Sequence, residues 1–195
     1  MDIKSLYLDE LIEEMKSINQ PAFRAKQIYE WMHTKLVSSY DEMTNISKDL
    51  RSELSKTYPL TALQVVDKYV SKSDGTIKYL FALNDKRVIE SVLMKYHHGY
   101  SVCISSQVGC MMGCTFCAST IGGKERDLTA SEMLDQVYRI QELSGERVSN
   151  VVVMGTGEPL DNYDNLIRFI RILTDDKGIN ISARNITVST CGIPD

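Results

Sequence analysis

No stretch of the 195-residue chain approaches the roughly 20 consecutive apolar residues that a membrane span needs. The opening Met-Asp-Ile-Lys, followed by acidic side chains, lacks the basic and apolar regions of an export signal, so a cytoplasmic protein without membrane attachment is expected. Internal repeats and low-complexity tracts are missing too. Charge of one sign is not in excess: 22 Lys and Arg stand against 26 Asp and Glu, a net charge of −4, which gives no sign of a protein that binds polyanions through its overall charge. Cysteine is absent from the first hundred residues, and the total of five is odd. An odd count without an export signal argues against a structural disulfide framework.

What is present describes a globular protein. Hydrophobic residues make up 43% and charged residues 25%, a balance that supports a buried core and excludes disorder. The length suits one ordinary domain, or a small domain with part of a larger one. Four of the five cysteines, at 103, 110, 114 and 117, fall within fifteen residues, and the fifth is Cys191. Clustered thiols in a cytosolic setting more often ligate metal or carry redox chemistry than brace a fold.

Three textures follow one another along the chain. Residues 1–58 read as a small helical accessory domain. Leu8, Leu11, Ile12 and Met15 recur at helical spacing, Ala22 to Met32 repeat the pattern after Pro21, and a third helix over Lys48–Lys56 is capped by Ser47. Three short helices are expected to bury little core. Residues 59–98 read as a linking antiparallel β meander, with turns at Ser73-Asp74-Gly75 and Asn84-Asp85. Val88, Glu90, Val92 and Met94 alternate there, which puts one carboxylate on an otherwise apolar face. Residues 99–195 alternate strand and helix: Thr129–Leu143 with a Thr129/Glu132 capping box, Val151–Met154, Tyr163–Leu173 and Ile186–Ser189. This predicts βαβ units and an α/β fold with a parallel sheet buried on both faces. Two such units do not close a barrel, so the core is expected to be truncated at its C-terminal end. Residues 61–125 hold seven basic against five acidic residues and 126–195 seven against eleven, so any nucleic-acid surface is local and lies in the N-terminal half or in the missing remainder.

Three motifs carry chemistry. Cys110-Met-Met-Gly-Cys114-Thr-Phe-Cys117 places three thiolates close enough to wrap one compact inorganic centre. Iron–sulfur clusters are held by cysteine thiolates, normally four, and a triplet leaves one iron open to another ligand. A zinc site completed by Cys103, His97 or His98 is the alternative. The second motif runs from Val151 through Gly157, Glu158 and Pro159: a buried strand feeding a glycine-rich turn with one carboxylate, where α/β folds place ligands. The third, Val188-Ser189-Thr190-Cys191-Gly192, offers hydroxyls to a ribose or carboxylate at the end of the next strand.

The cysteine triplet resembles the signature of radical S-adenosylmethionine (radical SAM) enzymes. The resemblance implies a 4Fe–4S cluster on Cys110, Cys114 and Cys117, whose open iron chelates S-adenosyl-L-methionine, with Gly157, Glu158 and Ser189 binding that cofactor. Adding Gln20-Pro-Ala-Phe-Arg-Ala-Lys-Gln-Ile-Tyr-Glu-Trp31, Ile89-Glu90-Ser-Val and Cys103-Ile-Ser-Ser-Gln-Val-Gly-Cys110, the whole chain is similar to the dual-specificity 23S rRNA and tRNA adenine-C2 methyltransferases, the RlmN family. That implies an incomplete (β/α)6-type barrel behind an RNA-contacting helical domain. The implied activity methylates adenine C2 in 23S rRNA and in the tRNA adenosine 3′ of the anticodon. A methyl-cysteine on a C-terminal cysteine carries the group, Glu90 accepts a proton, and Cys103 releases the protein–RNA adduct by forming a disulfide bond.

The resemblance further implies a monomer served by an electron donor such as flavodoxin or ferredoxin. Two departures stand out. Thr156 replaces the family's usual Met, and the methyl-carrying cysteine has no counterpart, Cys191 lying in the ligand turn. The chain as given is therefore expected to lack full activity. Two competing readings are a C8-adenine rRNA methyltransferase and a catalytically inert RNA-binding module stabilised by a metal or cluster.

Overall fold

The computed structural model describes residues 2–60 and 62–193; the expected segment ends at Met1 and Asp195 lie outside them. Helices α1 (Leu8–Ser17), α2 (Ala22–His33) and α3 (Lys48–Thr57) form the N-terminal module. Ser47 caps α3, its hydroxyl accepting the Leu50 N–H. This module has a core of its own, more substantial than three short helices promise. The connecting segment adds Val37, Tyr40, Met43 and Ile46 to the helical Leu11, Met15, Ile28, Met32, Leu50 and Leu54. An irregular stretch rich in large apolar residues thus packs as a fourth layer element.

The rest is built on a six-stranded sheet in the order β1-β2-β3-β4-β7-β8. Strands β1 (Gln64–Val70), β2 (Ile77–Ala82), β3 (Val88–Tyr96) and β4 (Gly99–Ile104) run antiparallel, so the meander is continuous with the core sheet through the β3–β4 pairing. Strand β7 (Val148–Val153) lies parallel to β4, and β8 (Ile186–Val188) parallel to β7. A two-stranded hairpin of β5 (Gln107–Gly109) and β6 (Lys124–Asp127) leaves the end of β4. Its short polar strands carry too little periodicity to be read from sequence.

Helices α4 (Ala130–Ser144) and α5 (Tyr163–Leu173) cover one face of the sheet. The capping box forms as expected: the Thr129 hydroxyl accepts the Glu132 N–H at 3.2 Å and the Glu132 carboxylate accepts the Thr129 N–H at 3.0 Å. Gly145, at φ 69°, ends α4 in the left-handed conformation. Phe81, Leu93, Val102, Ile104, Val151 and Val153 point into this layer with Leu134, Val137, Leu166 and Phe169.

The expectation of a sheet buried on both faces is not met. Along β7, Val151 and Val153 are buried while Asn150 and Val152 are half-exposed, and the alternation continues across β3 and β4. One helical layer covers one face; the other carries Lys78, Leu80, Glu90, Val92, Cys103, Val152 and Thr187, aligned by strand register. Among the described residues no helix is long and apolar enough to cross a membrane.

The N-terminal module docks on α4 and α5 through buried polar contacts. Lys4 Nζ meets the Asp135 carboxylate at 2.6 Å with both side chains almost fully buried. His33 Nδ1 lies 2.9 Å from the Tyr138 hydroxyl, and the Tyr29 hydroxyl donates to Asp175 at 3.0 Å.

Candidate cofactor and cluster site

Three strand ends converge. Strands β4, β7 and β8 are parallel and in register, so the segments leaving their C-terminal ends, Ser105-Ser106, Met154 to Glu158 and Ser189 to Cys191, lie side by side. Residues of the second and third of these segments share a cavity of about 260 Å3 with Cys110, Cys114 and Cys117. The three motifs, far apart in sequence, thus meet in one place.

The cysteine loop is the tip of the β5–β6 hairpin. Its base closes where the Cys110 N–H donates to Gly123 O at 3.1 Å, and Gly109 (φ +74°) comes so close that a Cβ there would sit 1.8 Å from that oxygen. The Cys117 N–H donates to Cys114 O at 3.1 Å, which folds the C-x2-C segment into a tight turn. Cys110 is buried; Cys114 and Cys117 are half-buried. Met111 and Phe116 are exposed, and Met112 and Phe116 line the cavity.

Opposite the cysteines, the glycine-rich turn packs on the chain leaving β4. The Gly155 N–H donates to Ile104 O at 2.9 Å, and a Cβ on Gly155 would lie 2.7 Å from that oxygen. At Gly157, with φ +112°, a Cβ would meet Gln107 Cβ at 2.7 Å. Gly155 is required by the close approach of the Ile104 backbone, and Gly157 by its positive φ and by the Ser106 and Gln107 side chains packed against it. Glu158 is buried, and its two oxygens accept the Leu160 N–H at 2.9 Å and the Cys191 N–H at 2.8 Å. Burial pushes its pKa up, but hydrogen bonds from Thr190, Cys191 and Leu160 outweigh that and hold the carboxyl below its usual range. Glu158 therefore ties the β7 turn to the β8 turn as an anion at neutral pH. Ser189 lines the same cavity, its N–H donating to Val153 O at 3.1 Å. Cys191 is exposed beside Glu158, whose carboxylate pushes its thiol pKa up.

Cys103 and Glu90 share the face of the sheet that the helices leave uncovered. Cys103 is registered with Val92 on β3 and Val152 on β7; Glu90 lies two residues before Val92. Burial pushes the Cys103 thiol pKa up. The face around Glu90 is less apolar than its own strand's alternation implies, since Lys78 from β2 sits 3.3 Å from its half-exposed carboxylate. All five cysteines are free, so the disulfide expected of Cys103 is not formed among the described residues. His97 and His98 occupy the turn before β4, roughly 20 Å of strand away from the cysteine loop at its other end, too far to complete a metal site there.

Several residues that organise the site escaped the sequence reading. Gln107 and Gln136 are fully buried amides. Gln136 Oε1 accepts the Ser105 N–H and the Ser91 hydroxyl, both at 2.8 Å. Ser105 Oγ donates to Glu90 O at 2.8 Å and accepts the Thr156 N–H at 3.0 Å. No local pattern marks such residues, because their partners come from distant segments.

The donor set fits an iron–sulfur cluster with an organic ligand beside it: three thiols on one loop, facing a turn of backbone and carboxylate in one cavity. Among the described residues no three side chains of His, Cys, Asp or Glu converge on a point suited to a single metal ion. Such an arrangement, at the carboxyl ends of parallel strands under a helical layer, defines a radical SAM core.

The comparisons agree. Residues 104–195 match the radical SAM superfamily, and residues 1–59 match the ribosomal RNA large subunit methyltransferase N-terminal domain. A crystal structure of a radical SAM methyltransferase from Sphaerobacter thermophilus superposes with a TM-score of 0.92 at 43% identity, over 99% of this chain and 57% of that one. Two proteins named probable dual-specificity RNA methyltransferase RlmN are 64% identical. The one from Lachnoclostridium phytofermentans matches over 99% of this chain and 54% of its own length, and the one from Lachnospira eligens over 98% and 55%. The chain is thus similar over nearly its whole length to proteins of the RlmN family within the radical SAM superfamily, and it spans about half the length of the curated relatives it matches. The radical SAM match and the RlmN relatives imply a 4Fe–4S cluster and S-adenosylmethionine, which the donor set accommodates.

Proposed function

We propose that this chain is the cluster- and cofactor-binding part of a radical SAM RNA methyltransferase, one that modifies adenine C2 in 23S rRNA and in tRNA next to the anticodon. The observation that carries the reading is the meeting of Cys110, Cys114 and Cys117 with Glu158 and Ser189 in one cavity, in a chain whose first 59 residues match an rRNA methyltransferase domain. Bound there, the cluster and S-adenosylmethionine would supply one-electron radical chemistry. The three thiolates hold the cluster. Glu158, an anion already fixed by two backbone N–H groups, offers its remaining lone pairs to an ammonium group, and the Ser189 hydroxyl is available to a ribose or carboxylate.

Cys103 and Glu90, on the uncovered face beside this cavity, are the thiol and the base of the proposed cycle. Lys78 keeps the Glu90 carboxylate company until substrate arrives. The helical module, residues 1–58, engages folded RNA, whose shape and unstacked bases dominate recognition. Residues 59–98 join it to the core, an external flavodoxin- or ferredoxin-type protein delivers the electron, and the protein works as a cytoplasmic monomer.

The test is anaerobic reconstitution with iron and sulfide, followed by EPR of the reduced protein with and without S-adenosylmethionine. About four irons per chain and a spectrum shifted by the cofactor are expected. Stoichiometric zinc, or a cluster indifferent to the cofactor, overturns the reading. In the full-length protein, mass spectrometry of digested RNA against C2- and C8-methyladenosine standards decides the regiochemistry.

A further inference from the structure

Gln107 occupies an unusual position between the two halves of the site. It follows the end of β4, starts the hairpin that carries the three cysteines, and is fully buried. Its Nε2 donates to Asp127 Oδ1 at 2.7 Å and to Asp161 Oδ2 at 2.8 Å, while its Oε1 accepts the Glu158 N–H at 2.9 Å. Two carboxylates on one side and an N–H on the other leave the amide a single orientation. Lys124 Nζ closes the arrangement, 2.8 Å from Asp127 and 2.6 Å from Asp161. Asp127 and Lys124 belong to β6, at the far end of the cysteine loop; Asp161 and Glu158 belong to the turn after β7. Gly157 packs against the aliphatic part of the same side chain.

We propose that Gln107 is a positioning residue for the cofactor: it sets the separation between the thiol-bearing hairpin and the Gly157–Glu158 turn, so that one ligand can be held from both sides. The inference rests on the cofactor reading above and adds to it the residue on which simultaneous engagement depends. The three cysteines need only their own loop to hold a cluster. Binding a ligand between that loop and Glu158 needs the two segments held in register, and one side chain makes direct hydrogen bonds to both. Hydrogen bonds lost from a buried amide and its charged partners weaken such a ligand by roughly tenfold or more.

The experiment compares wild type, Gln107→Glu and the double variant Q107E/D161N after anaerobic reconstitution. Iron per chain is measured first, then S-adenosylmethionine is titrated while the EPR spectrum of the reduced cluster is followed. Gln107→Glu keeps the size and the acceptor toward Glu158 but turns a donor toward two carboxylates into a third carboxylate. Iron content is expected to match wild type while cofactor affinity falls at least tenfold. The second substitution restores a donor–acceptor pair with polarity reversed, and affinity is expected to recover to within about threefold. A role in packing alone predicts no such recovery.

Wild-type affinity in Gln107→Glu, no recovery in the double variant, or iron lost in parallel with affinity overturns the proposal. If Gln107→Glu does not fold, Asp161→Ala removes one strut from a partly exposed position. It should weaken the cofactor several-fold at full iron occupancy, and unchanged affinity overturns the proposal equally. A wild-type protein whose cluster ignores the cofactor overturns the cofactor reading itself, and so separates the two failures.

Discussion

Glu158 and His33 show how burial acts on single residues in opposite ways. Glu158 is buried with hydrogen bonds to its charged form, so its carboxyl is held below the usual range. Its stabilisation is present above the ordinary carboxylate pKa and is lost as pH falls through the lower, folded value. Glu158→Gln places an amide group against an N–H donor at one of two positions. It should cost about 1–3 kcal/mol in urea unfolding at pH 7, and an unchanged midpoint would contradict the bracing role. His33 is fully buried, and burial, with help from Lys4 and against the nearby charge of Asp175, pushes its pKa down to about 3. Because the unfolded imidazole binds a proton near pH 6.5, stability contributed by neutral His33 is complete above that pH and is lost as pH falls toward 3. Between pH 6.5 and 5 the loss amounts to up to about 2 kcal/mol. Denaturant midpoints of His33→Phe and wild type should converge as pH falls; parallel curves would mean that His33 does not titrate on unfolding.

The cysteine hairpin and α3 raise different questions at the level of single elements. The hairpin holds its loop through one close backbone approach, at Gly109 and Gly123. Gly109→Ala adds a clash with Gly123 O and a strained positive φ, so reconstituted iron should fall well below wild type while far-UV circular dichroism changes little. Full iron occupancy would show that the base of the hairpin is dispensable. Along α3, Lys48, Arg51, Ser52, Ser55 and Lys56 fall on one helical stripe and line a groove of about 530 Å3 that Asp41 also lines; Asp49 borders the stripe beside Lys56, and Glu53 lies farther round the helix. If the module engages RNA through phosphates, Lys48→Glu with Lys56→Glu should lower affinity across unrelated sequences. It should also reduce the slope of log affinity against log salt by about 1.5. A slope that does not move would place the RNA elsewhere.

In the molecule as a whole, the two cores are joined by polar contacts that neither segment reveals alone. Lys4 from the first residues and Asp135 from α4 form a buried pair. Lys4→Met should cost about 3–5 kcal/mol by leaving a buried carboxylate, while Lys4→Met with Asp135→Leu should recover most of that in thermal or denaturant unfolding. Additive losses would mean the pair is not coupled. Arg168 on α5 adds a contact to Glu10 at 3.0 Å, so the module is tied to both helices of the covering layer.

Helix α4 with its capping box, α5, the cap of α3 and the antiparallel order of β1 to β4 were legible because they follow from spacing and local hydrogen bonding within a few residues. So was the donor chemistry: three cysteines four and three residues apart, and a strand running into glycines and a glutamate, are one-dimensional patterns. The β5–β6 hairpin, the burial of one sheet face instead of two, and the core between α2 and α3 were not, because each depends on which distant surface a segment meets. The amides of Gln107 and Gln136 illustrate the reason most directly. Gln107 reads as an ordinary polar residue until strands β4 and β7 pair in parallel and bring Glu158 and Asp161 within hydrogen-bonding reach, and Gln136 until α4 packs against the end of β4 beside Ser105. Local periodicity and residue chemistry marked most of the elements and the candidate ligands. The distances between them exist only once the sheet is assembled, since hydrogen bonds and packing contacts act over a few ångströms while their partners lie tens of residues apart.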